Sequence, residues 1–390
     1  MKNSIGIWVL FGVWNLFFAG CASSDIFSDI ETNLASPLTI TINSATGRAY
    51  LNNSNSRVEY DWRQGSLHVL DITTPTSPTL VQSVGLDSFS GEMYLDTTNN
   101  RLLISNRLSA DDADTTDTLY SINTDETSAN FLTATSITVA KDPFGIACCD
   151  SSNRLLMASL NNVVQYFDVS GSLSAQDISL PSTLDDGATL SSSRTTFVAI
   201  NGDNAYVSRD NGGVFILDLT EVGTSNPVNY LISDIINPRG LVVSDGKLYV
   251  ATRFVDSGTI KNQILVLNLS ALPAATSDVQ NLDMNDDGLL VKQIDVGEDP
   301  KVVVAGTSKI YVSNQDSDTV SVIDPTTNPI GVTHVAVGEK PFGMAILKDL
   351  NGTPGDTSDD TDTHLFVCNV KSNTVSVIRL SDNAIVGTYP

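Results

Sequence analysis

The stretch Ile310-Tyr311-Val312-Ser313-Asn314, followed by Thr319-Val320-Ser321-Val322-Ile323-Asp324 and then Pro341-Phe342-Gly343, decides the fold of this chain. It recurs. Leu365-Phe366-Val367-Cys368-Asn369 with Thr374-Val375-Ser376-Val377-Ile378 is nearly the same text, and Leu248-Tyr249-Val250-Ala251 with Ile264-Leu265-Val266-Leu267 is a worn copy. Short runs of β-branched and aromatic residues, broken by Gly, Asn, Asp and Ser and lacking a helical period, read as strands joined by tight turns. The chain is therefore expected to be all-β.

Aligning the last residue of the third strand in each unit gives Asp71, Asn123, Asp168, Asp218, Asn268, Asp324 and Arg379, at intervals of 52, 45, 50, 50, 56 and 55 residues. Intervals of roughly 40 to 50 residues, lengthened by loop insertions, match four-stranded propeller blades. The expected architecture is a seven-bladed β-propeller of four-stranded antiparallel blades spanning residues 36–390. No blade buries both its faces alone, so each packs on the next and closure of the ring removes the free ends. Ala384 to Tyr389 completes the last blade from contiguous chain, which predicts closure by side-chain packing between blades one and seven; an extra edge strand from Ile26 to Leu34 is the alternative. Pro143-Phe144-Gly145, Pro238-Arg239-Gly240 and Pro341-Phe342-Gly343 open blades three, five and seven. In this motif Pro fixes the turn and Gly lets the innermost strand approach the crowded axis. Val302 stands where Gly is expected and no Pro precedes Gly91, so those two blades are expected to have shifted first strands.

On these motifs the chain resembles the YVTN-type β-propeller repeat proteins of bacterial and archaeal surfaces and periplasms. The match is close from Tyr311 to Gly343 and fades toward the N-terminus. The resemblance implies a scaffold exposed outside the cytoplasm and does not specify a ligand.

The composition agrees with an exported protein. Forty-five acidic against 21 basic residues give a net charge of −24, so a polyanion such as nucleic acid would be repelled over most of the surface. Residues 1–20 begin with Lys2, continue as an apolar run from Ile5 to Phe18 and end in small residues, the layout of an export signal. Phe18-Ala19-Gly20-Cys21 resembles the lipobox of bacterial lipoproteins, which implies cleavage before Cys21 and acylation of its thiol. An ordinary signal peptide or an uncleaved anchor helix is the alternative. Several acyl chains would hold the protein to a membrane, with residues 21–35 as a tether. Ala22 rather than Asp follows the cysteine, so the resemblance implies the outer membrane where a cell has two. Adjacent Cys148 and Cys149 are read as idle thiols in a strand, or as a vicinal disulfide or metal ligands.

Propellers place the loops before first strands and after second strands on one face, the top. Lys141, Arg239, Lys301 and Lys340 fall at blade openings, Arg107, Arg209 and Arg253 follow second strands, and Arg194 precedes a first strand. These eight cations are expected around the top mouth of the channel, where they either hold an anionic ligand or pair with Asp142, Glu298, Asp299 and Glu339 beside them. Trp62 lies on the same face, available to stack on a ligand or sugar ring or to pack over its own blade. The opposite face is expected to be acidic. There Asp283, Asn285 and Asp287, followed by Gly288, begin like a calcium loop, although Ile294 stands at the twelfth position; a solvated turn is the alternative.

Catalytic signatures are scarce: His68, His334 and His364 belong to different blades, and no nucleophile elbow, P-loop or haem-attachment motif occurs. The reading that fits best is an envelope-anchored binding or interaction module with a protein, anionic or carbohydrate ligand at its top face. A hydrolase or lactonase-like enzyme with its site in the channel, and a scaffold subunit of an envelope assembly complex, are the alternatives. The first would need an acid, base or metal deep in the channel, and fold alone licenses no activity.

Overall fold

Each of the seven aligned third-strand ends is the last residue of a strand, and the reason is local. Asp71, Asn123, Asp168, Asp218, Asn268 and Asp324 each accept, through a side-chain oxygen, the backbone N–H two residues on, at 2.8 to 3.1 Å. This Asx turn offers the chain a bend in place of another ladder bond and so stops the strand. Arg379 lacks that oxygen, and its guanidinium instead holds Asp382 at 2.6 Å across the turn.

The computed structural model describes residues 33–54, 65–86, 90–106, 116–159, 163–191, 193–223, 226–352 and 358–390. They form seven antiparallel blades. With strands a to d in order, blade one comprises Pro37–Asn43, Arg48–Asn53, Gly65–Asp71 and Thr79–Leu86; blade two Ser90–Asp96, Arg101–Asn106, Thr116–Asn123 and Ala134–Ala140; blade three Ile146–Ala147, Arg154–Ser159, Val163–Asp168 and Gln176–Ser179. Blade four comprises Thr195–Asn201, Asn204–Arg209, Val214–Asp218 and Val228–Ile232, and blade five Pro238–Ser244, Lys247–Asp256, Thr259–Asn268 and Leu290–Asp295. Blades six and seven comprise Pro300–Ala305, Ile310–Asn314, Thr319–Asp324 and Gly331–Ala336, then Pro341–Asp349, Thr361–Asn369, Thr374–Arg379 and Ala384–Tyr389. Among the described residues no helix is long and apolar enough to cross a membrane.

Blade seven is complete from contiguous chain, and the ring closes by packing. Phe366, Val375 and Val377 of blade seven share one buried cluster with Ile40, Leu51 and Leu70 of blade one. Each strand a touches the next around the axis, and the glycine of the opening motif is what permits it. A Cβ on Gly343 would lie 2.5 Å from the Leu38 carbonyl oxygen, and one on Gly240 would lie 2.5 Å from that of Lys301, both closer than real carbon atoms come.

The two irregular openings behave differently from each other. In blade six Pro300 pairs with Asn314 and Val303 with Val312, the register of Pro341 with Asn369 and Met344 with Val367 in blade seven, so the expected shift is absent. Val302 simply packs its side chain against the cluster around Tyr311 and Met344. In blade two Ser90 pairs with Asn106, which puts Gly91 one place early and Glu92 where blades three, five and seven have glycine.

One further expectation changes. The insertion before the last strand of blade five contributes Gln280–Leu282, which pairs in parallel with Val228–Ile232 as a fifth strand of blade four. Asp117 is buried within Thr116–Asn123 and accepts the Asp142 N–H at 2.7 Å.

Candidate functional site

The residue between Pro and Gly of the opening motif faces the axis. A cavity of about 210 Å³ is lined by Phe144, Thr196, Arg239, Lys301 and Phe342, which occupy this position in blades three to seven, together with Asp142, Arg194, Thr195 and Phe197. Five successive blades can contribute to one cavity only at the central channel. Phe144 and Phe342 come from non-adjacent blades, yet their rings meet edge to face at 6.2 Å, so they close across the axis. Phe197 adds a second edge-to-face contact with Phe144 at 5.3 Å. The cavity thus has an aromatic wall and, opposite in character, a cationic one.

Four of the eight cations expected at this mouth are held by carboxylates. Arg253 lies 3.4 Å from both Asp299 and Asp316, Lys340 lies 2.7 Å from Asp316, and Lys301 lies 2.9 Å from Asp299. These contacts tie the openings of blades six and seven to the ends of second strands in blades five and six. Arg194 is held more loosely by Asp210 at 3.7 Å. Arg209 is buried away from the mouth, donating to the Gly212 and Ser191 carbonyls and stacking over the Phe215 ring at 5.4 Å. Lys141 adjoins the cavity residue Asp142 in sequence. Arg107 and Trp62 lie outside the described residues, as does Cys21.

Arg239 is the exception. Its Nε is buried without a hydrogen-bond acceptor, and no carboxylate among the described residues lies within ion-pair distance of its guanidinium. It stands beside another half-buried cation: burial pushes the Lys301 ammonium below its ordinary value, Arg239 acts in the same sense, and Asp299 opposes both. The cavity is lined by Arg194, Arg239 and Lys301 with Asp142, and Asp210 and Asp299 engage the first and last of the cations, so an arriving anion would meet the Arg239 guanidinium.

Asp283, Asn285 and Asp287 lie on the perimeter between blades four and five. The Asp283 carboxylate accepts the amides of Asn285 and Asp286 at 2.8 and 2.9 Å, and Asp287 accepts the Asp283 amide at 2.8 Å. Asp234, just after the last strand of blade four, accepts the Met284 amide at 2.9 Å and the Asn285 side chain at 3.3 Å. Among the described residues no three His, Cys, Asp or Glu side chains are gathered to hold a metal.

Sequence reasoning missed one feature near the axis and left a second open among alternatives. Glu92, in the glycine position of blade two, accepts the Ile146 amide of blade three at 3.2 Å. It keeps part of its surface open, but protein atoms crowd its carboxyl and desolvation pushes it up to about 7. The second is at the far end of the first strand of blade three, where Cys148 and Cys149 are joined in a vicinal disulfide with the Tyr94 hydroxyl 3.2 Å from Cys149 Sγ. The signal for the first was the missing glycine itself. For the second, adjacency of two cysteines admitted the disulfide without selecting it.

A second cavity, of about 270 Å³, lies between blades one and two and is lined by Arg48, Tyr50, Asp125 and Glu126 among others. Arg48 is already engaged there by Glu126 at 2.7 Å and Asp71 at 3.0 Å.

Comparison with known proteins supports the repeat and the fold. The LVIVD repeat family matches residues 62–85 and 194–236, which fall in blades one and four. No curated protein matches the chain in sequence. Among solved structures, Sqt1 from Chaetomium thermophilum bound to the N-terminus of ribosomal protein L10 aligns with a TM-score of 0.58 at 12% identity, covering 92% of this chain and 89% of that one. Sqt1 from the same organism, solved separately, aligns at 0.55 with 13% identity, over 90% and 84% of the two chains. The computationally designed Ika8 protein aligns at 0.50 with 11% identity, over 92% and 89%. At such identities the likeness is one of fold. The chain is thus a seven-bladed propeller that carries LVIVD repeats.

Proposed function

We propose that this propeller is an exported, lipid-anchored binding module that holds its partner over the top mouth of the channel. The observation that carries the reading is Arg239, a cation at the axis whose guanidinium has no counter-ion among the described residues. A half-buried guanidinium whose Nε has no acceptor keeps N–H donors in reserve, and an arriving anionic group would engage them. The top of blade five adds contact surface. Its second and third strands run as a ten-residue hairpin each way, with Val255 paired to Ile260 near the tip and both exposed, and Ile236 exposed nearby. The Sqt1 structure, with a protein N-terminus bound, is a precedent for this fold holding a chain end.

The kinship to YVTN-type repeats rests on the text from Tyr311 to Gly343, and the anchor on Phe18-Ala19-Gly20-Cys21. Residues 1–20 are the proposed signal, residues 21–35 the tether, and the outer membrane the proposed address. One comparison in cells tests both parts. Cys21→Ser should move the protein from the membrane to the soluble fraction. Arg239→Glu with Lys301→Glu should leave it at the membrane and lose at least tenfold of the partner that the wild type captures. Retention of that partner by the double variant would refute the mouth as the site.

A further inference from the structure

We infer that the channel mouth is a site for an aryl-alkanoate: an acid group joined by a short link to a single flat apolar ring. This rests on the binding-module reading and names the chemistry that the mouth would recognise.

Size sets the first limit. The cavity holds about 210 Å³, below the roughly 300 Å³ at which sites for drug-sized ligands begin, so it takes one ring and its acid group and little more. The walls set the second. Phe144, Phe197 and Phe342 form a continuous aromatic surface through two edge-to-face contacts, against which a ring packs in the same manner. Charge sets the third. Arg194, Arg239 and Lys301 line the cavity against one carboxylate, Asp142. Arg194 has Asp210 and Lys301 has Asp299, so Arg239 is the cation left to bind the ligand.

The guanidinium matters beyond its charge. It offers parallel N–H donors that a planar carboxylate accepts two at a time, a match that a neutral ring cannot make. Lys301, on the adjacent blade, adds a donor to the same acid group. Carbohydrate fits poorly, because the wall facing the cations offers rings and few acceptors for hydroxyl groups. The acid can arrive in two ways, as a free aryl-alkanoate or as the C-terminal phenylalanine of a protein partner. Both present the same atoms.

The test is calorimetric titration of the purified protein with 3-phenylpropionate, and with 3-phenylpropanamide and acetate as probes lacking the charge or the ring. A short peptide ending in Phe, with a free or an amidated C-terminus, separates the two sources. 3-Phenylpropionate should bind with submillimolar affinity, and the amide and acetate at least tenfold more weakly. Arg239→Gln should cost about tenfold to a hundredfold in affinity, the effect of losing a charge-assisted pair. Phe342→Leu, which keeps the apolar volume but loses the ring, should cost a few-fold.

If the free-terminus peptide binds more tightly than the small acid and the amidated peptide does not, the natural source is a protein C-terminus. The reverse order points to a free acid. Equal binding of 3-phenylpropionate and its amide, or no heat at 10 mM in a protein with wild-type melting behaviour, overturns the inference. A partner captured in cells through Arg239 but not displaced by 3-phenylpropionate would overturn it too, and would leave the binding-module reading standing.

Discussion

Blades six and seven repeat one another; blades two and three do not, and the difference separates what holds the ring together from what makes it particular. In blades six and seven the asparagine ending the second strand reaches across to the third. Asn314 donates to Thr319 and Ser321 at 3.0 and 2.9 Å, and Asn369 donates to Thr374 and Ser376 at the same distances. The recurring Ser-Asn and Thr-Val-Ser text is therefore a hydrogen-bond cassette that ties the second strand to the third at the top of these two blades through the asparagine amide N–H groups. Blades two and three depart from this pattern where they face the axis. Glu92 replaces the packing glycine, and a vicinal disulfide follows the short first strand of blade three. The repeated blades close the ring, and the two irregular ones set a carboxyl and a disulfide beside the axis.

The largest test of that contrast is at the seam. Gly343→Ala places a methyl 2.5 Å from the Leu38 carbonyl oxygen and 2.7 Å from Thr39 Cα, where backbone on both sides must move. Thermal and chemical unfolding should show a loss of about 3 kcal/mol. A loss within 0.5 kcal/mol, by the ordinary scatter of surface substitutions, would mean that the seam is loose and closure does not depend on this glycine.

Glu92→Gln should act in the opposite direction and only at high pH. The folded protein holds the Glu92 carboxyl at about 7, above its ordinary 4.5. Between those values the folded state binds more protons than the unfolded state, so stability falls as pH rises through this window. The penalty is absent below the unfolded value and complete above the folded one. The neutral amide still accepts the Ile146 amide and escapes the penalty. Its melting temperature should equal that of the wild type near pH 4.5 and exceed it at pH 8, by an amount reflecting about 2 kcal/mol once residual exposure is allowed for. A pH-independent difference would show that the carboxyl is solvated.

The smallest expected effect is in a regular blade. Asp324 accepts both the Thr326 amide at 3.0 Å and its hydroxyl at 2.6 Å. Asp324→Ala should cost about 1 kcal/mol in urea unfolding, without regard to ligand. An effect on 3-phenylpropionate affinity would show that the turns on the far side of the blade communicate with the mouth.

Much of the candidate site was legible, but not its selection. The eight cations were assigned to one mouth by their positions relative to strands, and Arg194, Arg239 and Lys301 do line the channel cavity. Which of them keeps a free guanidinium was not legible, since Asp299 and Asp316 each reach cations from neighbouring blades. The aromatic wall was hidden for a similar reason: Phe144 and Phe342 are 198 positions apart and meet only across the axis. The calcium-like run Asp283 to Gly288 had the right letters, and the contacts that Asp234 makes with it come from another blade.

By itself the sequence determined the local structure: the strand ends, because an Asx oxygen acts on an amide two residues away; the blade count, because the unit recurs every 45 to 56 residues; and the opening motif, because proline and glycine act on their own backbone. Only the tertiary structure decided which residues oppose one another at the axis, which cation is left without a partner, and where Gln280–Leu282 adds its strand. Those outcomes depend on how seven similar wedges close into a ring, and contacts between blades are set by that closure rather than by any residue's neighbours in the chain.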